Sequence, residues 1–479
     1  MNRQLPSLLL MLLASPVFAQ VATQTGPATT TSAPTTDQSS TALRVVQIKA
    51  PPAAAPVNAL QYQFLPDIVD QTPGDAVQLY YQALDMSRGD PKIFDKIQAW
   101  LDMPPDKLPR DQVRETLNQL RNPLHMIELA ARTERVEWYF PIRSEGYHLM
   151  LPSLGIMRSL AKAQALRIRL EIAEGKIDDA IHDLQTGFAM ARQVGGANDP
   201  FLIQSLVAMN IGTTITEQVP LLIEAPGAPN LYWALTAIQA PLVDARRGLK
   251  TEQDSLYLAY PVLLDAQRGK PTSPQDWQKA LKSMDVVLAS TLRDPTSAAL
   301  AAVKLYPQAK QKLLERGFTP EQIEAMPVAQ VVAIMSLETY QRLRDQTFKW
   351  FDVPYWQVGQ GLDQADRAIG EAAARGEGQP FVSVMPSMGR VYFYQTQLDR
   401  KIAALRIVEA LRMYAVSHDG QLPAALGDVT EVPIPIDPVT GKSFQYTVVG
   451  NKAVVEGPAP QGRGFNPRDG VRYELTLTK

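Results

Sequence analysis

In the stretch GKIDDAIHDLQTGFAMAR, the apolar residues Ile177, Ala180, Ile181, Leu184, Phe188 and Ala191 fall three and four apart. Only the 3.6-residue helical period brings such positions onto one face, so the spacing predicts an amphipathic helix with a dry stripe. Asp178, His182, Asp183 and Gln185 fall on the other side. The preceding LGIMRSLAKAQALRIRLEIAEG repeats the period, and Gly175 stands where a helix stops, so the two form a helical hairpin.

The same period recurs along most of the chain. LLERGFTPEQIEAMP carries a helix stop at Gly317, a cap at Thr319, Pro320 in the first turn and Gln322 three residues after the cap. A longer helix follows through VAQVVAIMSLETYQRLRDQTFKWF. The aromatic run FKWFDVPYWQ reads as a core plug where helices converge, since aromatics carry much of core burial. In RKIAALRIVEALRMYAVSHDG, between the opening Arg400 and Lys401 and the closing Ser417, the polar residues are Arg406, Glu409 and Arg412, which leave the rest of the circumference apolar, so this helix is expected to be buried on most sides.

The pattern changes near the end. PIDPVTGKSFQYTV (residues 435–448) sets two prolines and an Asp-Pro before a turn at Gly441. Strand-like segments lie at 443–448, 453–456 and in VRYELTLTK, where Tyr473, Leu475 and Leu477 alternate. The fold class is therefore mainly α: an irregular helical bundle with a small C-terminal antiparallel β-sheet packed on a long helix.

The first residues carry a different message. Arg3 precedes the short apolar run LPSLLLMLLASP, and VFA ends at Ala19 with small residues suited to signal peptidase. Cleavage after Ala19 and export to the periplasm or beyond are the expectation. No later segment approaches eighteen uninterrupted apolar residues, so no transmembrane helix is expected in the mature chain. Eleven of the twenty-two residues from Val21 to Ala42 are Ser or Thr, and KAPPAAAP follows. Such composition buries too little to offset its ordering entropy. The predicted division is a signal peptide at 1–19, a disordered Ser/Thr/Pro/Ala-rich spacer at 20–60, a helical domain at 61–375, and a long helix with its sheet at 385–479, with a border in ARGEGQP.

Chemistry is harder to find. The chain has no cysteine, which excludes disulfides, thiolate metal sites and cysteine nucleophiles. Lys and Arg (47) balance Asp and Glu (49) without a basic stripe, so nucleic acid is not an expected partner. The four histidines, His125, His148, His182 and His418, show no HExxH or other metal-ligand spacing. Gly441, Lys442 and Ser443 mimic the end of a phosphate loop, but Ile436 stands where its first glycine belongs. Ser159 to Lys162 has serine-acylase spacing without the companion motifs. Arg88, Gly89 and Asp90 read as a helix end. No catalytic, cofactor-binding or metal-binding residue is assigned and no cofactor is expected.

Gly175, Ala180, Leu184 and Gly187 resemble the second half of a tetratricopeptide repeat, and Ala76, Tyr80 and Ala83 echo those offsets. The resemblance implies a close helical hairpin. The final helix, then YAVSHDGQLPAAL and PIDPVTGKSFQY, resembles the globular part of type II secretion major pseudopilins, although the polymerising N-terminal helix of those proteins has no counterpart here. Over nearly its mature length, through stretches such as APNLYWALTAIQAPLVDARRGL and FKWFDVPY, the chain is similar to uncharacterised exported proteins of planctomycete bacteria. That likeness implies a compartment and no chemistry. Two function classes follow: a noncatalytic interaction or scaffold protein of the cell envelope with a protein partner, and a secreted or periplasmic hydrolase whose residues meet only in the fold.

Overall fold

The computed structural model describes residues 43–479 apart from 88–91, 147, 148, 150, 151, 197–200, 285, 286, 289–294, 386, 462–464 and 479. The expected signal peptide, Arg88–Asp90 and His148 lie outside the described residues. Besides a single turn at Ile142–Glu145, the α-helices among the described residues are α1 (Ala76–Met86), α2 (Lys92–Leu101), α3 (Arg110–Gln119), α4 (Arg121–Ala131), α5 (Pro152–Ala173), α6 (Ile177–Gly195), α7 (Leu202–Thr216), α8 (Val219–Glu224) and α9 (Tyr232–Thr236). There follow α10 (Ala245–Ala259), α11 (Pro261–Gln267), α12 (Pro274–Ser283), α13 (Pro295–Glu315), α14 (Pro320–Glu324), α15 (Val328–Phe348), α16 (Tyr355–Ala374) and α17 (Met388–Ser417).

Local signals act where the sequence puts them. Gly175 ends the α5 to α6 hairpin with φ of 74°, a left-handed conformation that costs other residues. Thr319 and Gln322 form a reciprocal capping box at the start of α14. Phe351 and Tyr355 are buried, and Phe351 stacks on Tyr392 with ring centroids 4.5 Å apart, so these two plug the core, whereas Trp356 near the end of the run is exposed.

Strands β1 (Val45–Ala50), β4 (Gln445–Val449), β5 (Lys452–Gly457) and β6 (Val471–Leu477) form one sheet in the order β1-β6-β5-β4. Strands β4, β5 and β6 are antiparallel, as anticipated. A two-stranded parallel pair joins β2 (Thr72–Asp75) to β3 (Thr133–Arg135).

Two expectations are corrected. The first is the spacer at 20–60: β1 lies inside it and pairs parallel with β6, Ile48 opposite Leu475, which makes the sheet mixed. Its six residues alternate, with Ile48 and Ala50 buried and Gln47 and Lys49 facing solvent. Those two side chains, not the Pro/Ala-rich composition around them, decide the local structure.

The second is the boundary near 375–385. One hydrophobic core runs through α1–α9, the aromatic plug, α17 and the sheet. A separate core, from Leu256 to Val382, lies under α11–α15 and the turn after α16. The chain thus leaves the first core, builds the second, and returns. The cause is α17: buried on nearly every side, it packs against α7, α9 and α16 and against β5 and β6.

Candidate functional site

A gathering of titratable groups spans α4, α5 and α6. The Arg167 guanidinium forks onto the buried Asp183 carboxylate through Nε and Nη2, the planar two-point fit of this pair. Asp183 is thus a buried residue, although the helical wheel of the sequence set it on the polar side. Its direction follows from α5, whose Arg167 and Gln164 face it; Gln164 Nε2 donates to the Asp183 carbonyl at 3.1 Å.

Glu171 stands one turn beyond Arg167. Burial first, then the charge of Asp183, pushes its carboxyl up to about 9, against the pull of Arg167. At neutral pH one cation therefore serves one carboxylate, and Glu171 keeps its proton.

The outer edge of the cluster is built on His182. Arg132 Nη2 lies 3.0 Å from Nδ1, and Glu128 Oε1 lies 3.1 Å from Nε2. Guanidinium only donates, so Nδ1 accepts and Nε2 carries the proton toward Glu128. The hydrogen bond from His182 holds the Glu128 carboxyl down at about 2, against burial and with help from Arg167 and Arg132. Arg132 also donates to Thr186 Oγ1 at 3.1 Å and Gln185 Oε1 at 2.9 Å. Gln185 in turn donates to the carbonyls of Gln63 and Leu65.

Both ring nitrogens of His182 are therefore engaged. The Thr186 hydroxyl beside it donates to the carbonyl of His182 at 3.1 Å. The arrangement can store and share protons, but its hydrogen bonds run from helix to helix. His125 adds a second imidazole, Nδ1 3.6 Å from Glu128 Oε2. The sequence could not reveal these partners, because Glu128 and His182 are 54 residues apart. The available signal was charged residues in a helix as apolar as α5.

A second constellation brings together Ser417, His418 and Glu431. Ser417 Oγ donates to Glu431 Oε1 at 2.7 Å, and His418 Nδ1 lies 2.9 Å from the carbonyl of Tyr414, on whose ring it stacks. Nδ1 also lies 3.1 Å from Ser417 Oγ; a carbonyl only accepts, so in the tautomer that bonds Tyr414 this nitrogen is a donor and cannot take the serine proton. Burial raises the Glu431 carboxyl, but hydrogen bonds from Ser417 and the backbone outweigh it and hold the group low. The residue types are those of a hydrolytic triad; the proton path is not.

The remaining motifs resolve locally. Ser159 Oγ donates to the carbonyl of Gly155, one turn back on its own helix. Gly441 sits at φ 67° in a turn, Lys442 is exposed, and a strand rather than a helix follows. Among the described residues, no three His, Asp or Glu side chains gather as metal ligands would.

A surface groove of about 370 Å³ lies between α13 and α15, lined by charges that include Lys312, Glu315, Glu338, Arg342 and Glu377. The stretch Leu202–Glu224 is long and apolar enough to cross a membrane, but 67% of it is buried inside the fold. No protein-family model matches the chain, and neither the curated proteins nor the solved structures contain a significant match.

Proposed function

We propose that this chain is an exported, noncatalytic interaction or scaffold protein of the cell envelope. The observation that carries the reading is the use made of its titratable side chains. Glu128, Arg132, Arg167, Asp183 and His182 bond to one another between helices, and in the Ser417, His418 and Glu431 set the imidazole nitrogen that faces the serine is engaged by the Tyr414 carbonyl while the serine hydroxyl donates to Glu431.

Support for a partner comes from α13, where Leu300 and Val303 are 68% and 65% exposed, one turn apart. They share a helix with the charged groove at Lys312 and Glu315. An apolar spot beside a polar rim is the usual composition of a protein contact. Export rests on the Arg3, apolar run and Ala19 pattern. The likeness to exported planctomycete proteins favours the same compartment. The likenesses to tetratricopeptide hairpins and to the pseudopilin tail agree with a binding role.

The test is capture from a native envelope fraction with tagged mature chain, in parallel with Leu300→Asp/Val303→Asp. Processing to Gln20, with a partner retained by the native chain and released by the variant, is the expected result. An unprocessed N-terminus in the cytosol, or hydrolysis of envelope material by the purified chain, would overturn the reading.

A further inference from the structure

The sheet is closed by a strand from the far end of the chain. β1 pairs with β6 over six residues, Val45 opposite Arg472 through Ala50 opposite Leu477. Its own backbone is gripped on the other side, where Lys49 N donates to Glu224 Oε1 at 2.8 Å. The grip extends two residues past Pro51. Arg412 Nε donates to the Pro51 carbonyl at 3.0 Å, Ala53 N donates to the Arg412 carbonyl at 3.1 Å, and Asn230 Nδ2 donates to the Ala53 carbonyl at 3.1 Å. The slot between β6, α8 and α17 is thus specific for this segment.

The chain next enters the core at Phe64, which is fully buried and packs on Phe188 with ring centroids 5.3 Å apart. Between Ala53 and Phe64, the backbone hydrogen bonds found among the described residues are the turn from Gln61 N to the Asn58 carbonyl and the one that the Gln63 carbonyl accepts from Gln185. Residues 54–62 form a hinge that reaches up to ~30 Å when extended. Its apolar side chains Val57 and Leu60 are exposed, and so are Ile68 and Val69 just beyond it.

We propose that residues 43–53 exchange between two copies of the chain, each copy supplying the strand that completes the other's sheet. The slot accepts this segment by construction, so a second copy offers the same ladder, the same Ile48 and Ala50 contacts and the same grip by Arg412. Exchange keeps every closed contact and brings two hinges alongside each other, which gives Val57, Leu60, Ile68 and Val69 apolar surface to cover. This self-association does not depend on the proposed envelope role.

The absence of cysteine from the chain provides a clean test. Lys49 and Thr476 lie opposite each other in the register. Chains carrying Lys49→Cys are mixed with differently tagged chains carrying Thr476→Cys, unfolded together, refolded over a range of concentrations and oxidised. Single accessible cysteines also pair by collision, so the reading is the excess of mixed-tag disulfide over that of chains refolded separately, then mixed and oxidised at the same concentration; that excess arises only where a strand of one chain lies beside β6 of its neighbour. The expected result is a disulfide-linked heterodimer whose yield rises with refolding concentration, and rises further when residues 57–61 are deleted. Folded protein at every concentration, judged by circular dichroism, with no such heterodimer would overturn the proposal. If the shortened hinge prevents folding, the full-length mixture decides alone.

Discussion

Arg400 Nη2 lies 2.6 Å from Asp437 Oδ2, and neither side chain reaches solvent. The pair fastens the Asp-Pro turn to α17. The second carboxylate oxygen accepts from Val439 N at 2.9 Å, and the Asp437 carbonyl accepts from Gly441 N at 2.8 Å, so the turn is wound around the anchored residue. Asp437→Ala leaves a guanidinium in the core with the Pro458 carbonyl as its remaining acceptor. The expected loss is ~3–5 kcal/mol, read from urea unfolding. Arg400→Met/Asp437→Leu should recover most of it, because two apolar groups leave no stranded charge. Native stability in Asp437→Ala would mean that the pair does not fasten the turn.

The same turn needs Gly441 for two reasons. Its φ is 67°, and a Cβ there would stand 2.4 Å from the ring of Trp356. Gly441→Val should cost ~2–4 kcal/mol from strain and overlap. In a Trp356→Ala background the overlap disappears, and the penalty should shrink to the backbone strain. Phe444→Ala should be costly, since Phe444 is buried, whereas Lys442→Ala and Ser443→Ala at exposed positions should leave the denaturation midpoint unchanged. Equal penalties in both backgrounds would show that Trp356 yields to the new side chain.

Much of the helical order was legible because period and punctuation act over a few residues. The α5 to α6 hairpin, the Thr319 box and the strands after Gly441 all follow from spacing that needs no distant partner. What was not legible depends on sequence-distant contacts. Asp183 reads as a polar-face residue until Arg167 turns toward it. β1 reads as spacer until β6, more than 400 positions away, supplies its ladder. The small residues of α6 show a milder form of this. They suggested a close approach within the hairpin, yet a Cβ on Gly187 would strike Ile215 of α7 at 2.5 Å, so that contact is with the next helix. Gly187→Ala should therefore destabilise unless Ile215 is trimmed to Ala, since Val keeps the branch carbons at 2.6 and 3.0 Å, a rescue visible in a double-mutant cycle.

The strand inside the expected spacer separates two deletions. Removing residues 23–41 takes away only sequence that precedes the described fold, and the melting temperature should stay within a degree or two. Removing 45–50 strips the β6 edge and uncovers the Ile48 and Ala50 sites. Ile48→Asp tests the same contact without shortening the chain. A buried, unpaired carboxylate should cost ~3 kcal/mol or more and lower the melting temperature by several degrees. Native melting in Ile48→Asp would place this side chain in water and remove β1 from the sheet.

The last prediction concerns pH. Glu171 is held up at about 9 by burial and by Asp183, and burial raises Asp399 and Glu252 to about 7 against single backbone hydrogen bonds from Leu242 and Leu202. All three titrate near 4 when the chain unfolds. Above that value the folded state binds more protons than the unfolded one, so stability falls as pH rises, by up to ~1.4 kcal/mol per pH unit for each group until its folded value is passed. Glu128 works in the opposite direction. Its value of about 2 lies below that of the unfolded chain, so its contribution is complete above ~4.5 and is lost as pH falls toward 2. Stability should peak near pH 5. Glu171→Gln keeps the shape and removes the titration, so the variant should be more stable than the native chain at pH 8, nearly equal to it at pH 4, and flatter in between. Urea midpoints measured from pH 3 to 9 decide the matter. A native curve that rises from pH 5 to 8, or a Glu171→Gln curve parallel to it, would show that Glu171 is ionised in the fold.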